Sequence, residues 1–133
     1  MKTLFLIRGV PGSGKSSFAL QLWEFGVVDR VMEADQYFTD ESGERYNFDA
    51  TKLGAAHLEC QRKTVNALVE GFNVAVANTS TTEKEVEVYR KIAHQCGAVF
   101  VSIVVENRHG GKNVHNVPED KINQMKQRFS IKL

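Results

Sequence analysis

Nothing in this 133-residue chain is present in conspicuous excess, and several things are missing. No apolar run approaches the length needed to span a membrane. There is no internal repeat, no linker-like stretch and no low-complexity tract. Only two cysteines occur, Cys60 and Cys96, far apart and without metal-ligand spacing, which reads as buried free thiols in a reducing cytoplasm. The four histidines, His57, His94, His109 and His115, show neither metal spacing nor a Ser/Asp partner pattern. Seventeen basic against sixteen acidic residues leave a net charge of +1, so no bulk basic field exists, and a nucleic-acid partner would need a local patch. An apolar fraction of 42% and a charged fraction of 25% are ordinary for a globular protein. A chain of this length makes one domain, residues 1–133, burying about two-thirds of its unfolded surface. Its short N-terminal apolar stretch leads into a glycine-rich turn, so it reads as a strand and not as a signal peptide.

What is present is that turn. Leu4-Phe5-Leu6-Ile7 empties into Gly9-Val10-Pro11-Gly12-Ser13-Gly14-Lys15-Ser16, and Ser16 to Trp23 continues with helical periodicity. Strand, glycine-rich loop and helix in this order are the context of a phosphate-binding loop. The glycines let successive N–H groups point inward, where a Cβ would block both the turn and the approaching phosphate. Lys15 adds a point charge for the β- and γ-phosphates, the Ser16 hydroxyl is placed to ligate Mg²⁺, and the first turn of the helix, with Ser17, faces the anion. Gly9, Pro11, Gly12, Ser13, Gly14, Lys15, Ser16 and Ser17 are thus the candidate residues for a bound nucleoside triphosphate.

The rest alternates between strand and helix. Val27–Glu33 reads as a second short strand ending near Asp35, followed by a polar loop and by Tyr46 and Phe48, placed to pin that loop to the core. Ala50 to Glu70 predicts a long helix with apolar positions Leu53, Ala56, Leu58, Cys60, Val65, Leu68 and Val69, stopped at Gly71. Phe72–Ala77 is the third strand, and Thr82 with Glu85 makes a capping box for a helix running to Gly97. Ala98–Val105 is a nearly continuous apolar strand of the kind buried on both faces of a parallel sheet. Residues 107–116 read as a glycine-rich basic loop, and Pro118 opens the last helix at a first helical position. Trp23 is expected in the core, and Lys121, Lys126 and Arg128 in solvent. Right-handed crossovers make the whole a three-layer α/β domain around a parallel sheet.

In open α/β sheets ligands lie beyond the carboxyl ends of the strands. Asp35 follows the second strand; beside a phosphate loop it is the favoured general base for an acceptor hydroxyl, while water-mediated Mg²⁺ binding or capping of a turn are its other readings. Arg108 and Lys112, in the loop after the fourth strand, would serve as mobile cations over the transferring phosphoryl group or stand as a solvated basic loop.

With those residues in place, the chain resembles the kinase half of phage polynucleotide kinase and the small AAA-type P-loop proteins related to it. The match runs through Gly9–Ser16, Glu33-Ala34-Asp35-x-Tyr37-Phe38, Gly43-x-x-Tyr46-x-Phe48, Ala56-His57-x-x-Cys60, Asn78-Thr79-x-Thr81-Thr82 and Asn107-Arg108-His109 to Pro118-Glu119. The resemblance implies a sheet of about four parallel strands with a lid at about 107–117. It also implies ATP with Mg²⁺ and transfer to a hydroxyl, most readily the 5′ end of a single-stranded nucleic acid. By position, Lys15 and Ser16 take phosphate and Mg²⁺, Asp35 becomes the general base, and Arg108 and Lys112 become the lid cations. Phe38 stands where such kinases place a substrate-binding arginine, and Ala77-Asn78 stand where relatives carry an aspartate. These departures keep open a small-molecule acceptor, such as a nucleoside or sugar, or a nucleotide-binding module with little turnover.

Overall fold

The computed structural model describes residues 2–39, 42, 45–106 and 117–132. Four parallel strands, β1 (Thr3–Arg8), β2 (Arg30–Met32), β3 (Val74–Asn78) and β4 (Val99–Val104), form one sheet in the order β2-β3-β1-β4. The helices are α1 (Lys15–Glu24), α2 (Leu53–Val69), α3 (Glu83–Gln95) and α4 (Glu119–Arg128), with short 3-10 turns at Ala34–Phe38 and Ala50–Lys52.

The period-2 alternation of β1 assigns the layers. Leu4 and Leu6 join Val74 and Val76 on one face, under Ala56, Cys60 and Leu68 of α2 and Val86, Tyr89 and Ile92 of α3. Ile7 joins Ala75 and Ala77 on the other, under Ala19 of α1, with Val28 beside them. Leu4, Leu6, Ile7, Val74 and Val76 are wholly buried. Each such aliphatic side chain stabilises the fold by about 1.5–3 kcal/mol. The three-layer α/β domain with four parallel strands is therefore as the sequence predicts.

Several local expectations shift. Among the described residues β4 is an edge strand paired to β1 alone, with Val99 42% exposed and Ser102 also exposed. A continuous apolar run reports affinity for a sheet interior but not how many neighbours the strand has. On α2 the buried stripe is Ala56, Cys60, Thr64, Ala67 and Leu68, whereas Leu58 and Val69 face solvent, because the helix axis sets the face and individual apolar residues do not. The first residues assigned to that helix form a separate 3-10 turn, whose Thr51 N–H is capped by Asp49 Oδ1 at 3.0 Å. β2 is shorter than Val27–Glu33, and β3 begins two residues later than predicted.

Trp23 is 52% exposed, not core: α1 is short and buries only Ala19. Arg128 is not simply solvated, since its Nε donates to Thr81 Oγ1 at 3.1 Å. The capping box stands as read, with Thr82 Oγ1 accepting from Glu85 N–H and Glu85 Oε2 accepting from Thr82 N–H. Tyr46 bridges to Thr39, and Phe48 stacks edge-on against Phe38 at 5.1 Å, which ties their loop to the core. Pro118 is the N-cap of α4, one position earlier than expected. Among the described residues no helix is long and apolar enough to cross a membrane.

Candidate active site

The glycine-rich loop lies between β1 and α1, at the carboxyl end of the central strand. Gly12 (φ 83°) and Gly14 (φ 98°) adopt left-handed backbone that a side chain would strain, and Gly14 delivers the chain into the first turn of α1. At Gly9 the demand is space: a Cβ there would fall 2.2 Å from Ser13 Oγ and 2.9 Å from the Val105 carbonyl oxygen. Ser13 is buried beneath the loop, whereas Ser16 and Ser17 open to solvent at the helix N-terminus. The cradle is thus formed by backbone, with the α1 amides aimed at its mouth.

Lys15 lies partly buried in this mouth. Burial lowers its pKa, and the negative fields of Glu33 and Asp35 oppose that shift. Those two carboxylates come from the end of β2 and the 3-10 turn after it, so the fold brings Glu33 and Asp35 near Lys15, with Ser16 bonded to Glu33. It adds Glu33, which sequence reasoning had taken as the end of a strand. The Ser16 hydroxyl donates to Glu33 Oε1 at 2.5 Å.

Asp35 is held by a phenol. The Tyr46 phenol donates to Asp35 Oδ1 at 3.2 Å, and its pKa is pushed up to about 12, first by burial and then by the charge and hydrogen bond of Asp35. Tyr46 therefore remains a neutral donor at any physiological pH. Phe38, three residues on, is buried, with edge-on contacts to Tyr37, Tyr46 and Phe48.

The strand end between these groups is a structural clip. Asn78 Oδ1 accepts the Ala34 N–H at 2.8 Å, and its amide faces Tyr89 Oη at 3.4 Å and Cys60 Sγ at 3.7 Å. Burial raises the pKa values of both Tyr89 and Cys60, keeping them neutral. One residue further, the Gly9 N–H donates to Thr79 O at 3.3 Å, so the turn after β3 links the loop to the Asp35 segment. Within that turn Ser80 takes a left-handed φ of 44°, uncommon for a residue with a side chain.

Arg8, which sequence reasoning passed over, secures the turn. It is buried and donates from Nε to Ser80 O at 2.8 Å and from Nη2 to Ser130 O at 2.6 Å. Its guanidinium lies over the Phe129 ring and 3.9 Å from Glu83. Burial lowers its pKa, and Glu83 and Glu85 partly restore it. A charged residue closing an otherwise apolar strand was the available signal.

A cleft of about 220 Å³ opens beside this turn between α2 and α3, lined by His57, Gln61, Asn78, Thr79, Ser80 and Tyr89 among others. A depression of about 270 Å³ along the outer side of α3, at Glu87, Arg90 and His94, is larger but lies away from the loop and reads as a solvated helix face. The predicted lid cations Arg108 and Lys112, with His109 and His115, lie outside the described residues.

The residues fit the groups implied for them. Gly12 and Gly14 supply the left-handed backbone that a phosphate-binding loop needs, and Gly9 supplies the close approach to Ser13 and Val105. The oxygens of Ser16 and Glu33 are the hard donors Mg²⁺ prefers.

The chain is 28% identical over 134 residues to human NEDD4-binding protein 2, a match covering 95% of this chain but 8% of that protein. A chain of the Pnkp1/Rnl/Hen1 complex superposes with a TM-score of 0.62 at 16% identity, over 92% of this chain and 38% of that one. A gluconokinase from Sinorhizobium meliloti superposes with a TM-score of 0.61 at 14% identity, over 97% and 75%. These similarities give the kinase-type P-loop fold. The family model described as AAA domain matches residues 4–131, nearly the whole chain, and the protein belongs to that family.

Proposed function

We propose that this domain transfers the γ-phosphoryl group of ATP, as its Mg²⁺ complex, to a hydroxyl group, and that the acceptor is the 5′-hydroxyl end of a polynucleotide. The observation that carries the reading is the meeting of Lys15 and Ser16, from the glycine-rich loop, with Glu33 and the Tyr46-bound Asp35, from the end of β2 and the turn after it. The similarity to a chain of the Pnkp1/Rnl/Hen1 complex supports the polynucleotide acceptor.

In this reading the loop amides and Lys15 hold the β- and γ-phosphates, with Ser17 at the first turn of α1 and Pro11 shaping the loop. Asp35 orients the acceptor hydroxyl and takes its proton as the new O–P bond forms. Tyr46 fixes the carboxylate for that task. Mg²⁺, held at Ser16, would neutralise charge on the phosphate oxygens. Arg108 and Lys112 would close over the donor and exclude water.

A second reading, a small neutral acceptor such as a nucleoside or sugar, is favoured by one observation. Phe38 occupies the core where a phosphate-binding cation would stand, and no Lys or Arg lines the cleft among the described residues. The test offers labelled ATP with 5′-hydroxyl oligonucleotides and, separately, with nucleosides and sugars, to wild type and Asp35→Asn. Transfer confined to oligonucleotide ends and lost in Asp35→Asn is expected. Transfer to the small acceptors alone would move the protein to the second reading. ATP binding without transfer to any acceptor would leave it a nucleotide-binding module.

A further inference from the structure

P-loop enzymes that use Mg²⁺ pair the loop hydroxyl with a carboxylate that holds metal-bound water. At the end of β3 this chain offers Ala77, which is buried and apolar, and Asn78, whose side chain is committed to Ala34 N–H, Tyr89 and Cys60. Neither can serve a cation.

The geometry points to Glu33 as the carboxylate of the metal side, supplied from the end of β2 instead of β3. A serine hydroxyl has one hydrogen and two lone pairs. The Ser16 hydrogen is already directed to Glu33 Oε1, at 2.5 Å, which leaves the oxygen lone pairs available to a divalent cation. Glu33 keeps further acceptor capacity for the water molecules that Mg²⁺ retains. Its negative field reaches Lys15, ahead of that of Asp35. The two carboxylates thereby divide the work: Glu33 faces the donor's cation, and Asp35, held by Tyr46, faces the acceptor.

This inference rests on the nucleotide-binding part of the proposed function but not on the acceptor, so its test reads binding and not transfer. The non-hydrolysable analogue AMPPNP is titrated into wild type, Glu33→Gln and Asp35→Asn, once with Mn²⁺ as a paramagnetic substitute for Mg²⁺ and once with chelator. In Glu33→Gln, Mn²⁺ affinity in the nucleotide complex is expected to fall roughly 10–100-fold, as for loss of an outer-shell metal partner. Metal-free AMPPNP should bind Glu33→Gln at least as tightly as wild type, because a negative charge beside the phosphates is gone. Asp35→Asn should leave Mn²⁺ affinity unchanged.

The opposite signs separate a metal role from a structural one, which would weaken both modes together. Metal-free binding also reports that the variant's loop is folded. Unchanged Mn²⁺ affinity in Glu33→Gln, equal weakening with and without metal, or an equal loss in Asp35→Asn overturns the assignment of Glu33 alone. A wild-type protein that binds no AMPPNP overturns the proposed function as well.

Discussion

The loop Gly9–Ser16 draws its chemistry from one unbroken stretch of chain, whereas the ground beside it is assembled from β3, α2, α3 and the 3-10 turn and clipped by Arg8 to residues 72 and 122 positions away. On the loop side the groups proposed to hold phosphate are largely backbone N–H donors, positioned by glycine conformations and by the space left at Gly9. On the facing side the groups are kept in place by side chains: Asp35 by Tyr46, Ala34 by Asn78, Ser80 by Arg8. A backbone cradle tolerates change outside its glycines. A side-chain assembly transmits the loss of any member to its neighbours.

The sharpest way to break this comparison is to remove one charged group from each side. Lys15→Ala should reduce phosphoryl transfer by at least about 10²–10³-fold and weaken nucleotide binding with it, since the lysine meets the donor directly. Asp35→Asn should reduce transfer by about 10²–10⁴-fold while nucleotide affinity holds, because a base acts on the acceptor alone. Parallel transfer and AMPPNP-binding measurements check both. If Asp35→Asn loses nucleotide as Lys15→Ala does, the two sides are not separable.

The same contrast decides what could be read from the sequence. The loop was legible because anion binding by backbone needs consecutive residues of fixed type, and the Thr82–Glu85 capping box was legible for the same reason. Asp35 was reachable from its position after a strand. Glu33 was not, because its role depends on meeting Ser16, and nothing in a strand-ending Glu announces that meeting. The clips made by Arg8 and Asn78 were missed on like grounds, since a strand-ending residue can be noticed locally but its partner 72 or 44 positions away cannot. Trp23 and β4 misled in the other direction: apolar character predicts burial on average, but which face and which edge remain open are decided by the packing of α1 and the order of strands.

A smaller effect tests the clip itself. Asn78→Ala leaves the Ala34 N–H without its side-chain acceptor and removes a partner of Tyr89, at a cost of about 1–3 kcal/mol. Denaturant unfolding measures that loss. Transfer should fall further than stability alone explains, because Ala34 precedes Asp35, while AMPPNP affinity stays close to wild type. Loss of nucleotide binding in step with transfer would instead show that the clip serves the loop through the Thr79–Gly9 hydrogen bond.

The smallest expected effect lies at Tyr46, where pH supplies the handle. The Tyr46 pKa rises from its ordinary value near 10 to about 12 in the fold, chiefly through burial, so folding favours the neutral phenol. A raised folded-state value means that the contribution is complete below the unfolded pKa and is lost as pH climbs through the folded one. The stability difference between wild type and Tyr46→Phe should therefore be flat through neutral pH and shrink from about pH 10 upward. Its size should fall at the lower end of about 0.5–1.5 kcal/mol, the range for a hydrogen bond, because the ring is 38% exposed and solvent screens Asp35. Urea titrations at a series of pH values make the comparison. No difference at neutral pH would place the stabilisation in the ring packing against Phe38, which Tyr46→Phe retains, and not in the bond to Asp35. Asp35 would then be oriented by its own turn, and the acceptor side would depend less on side-chain support than the loop's opposite construction suggests.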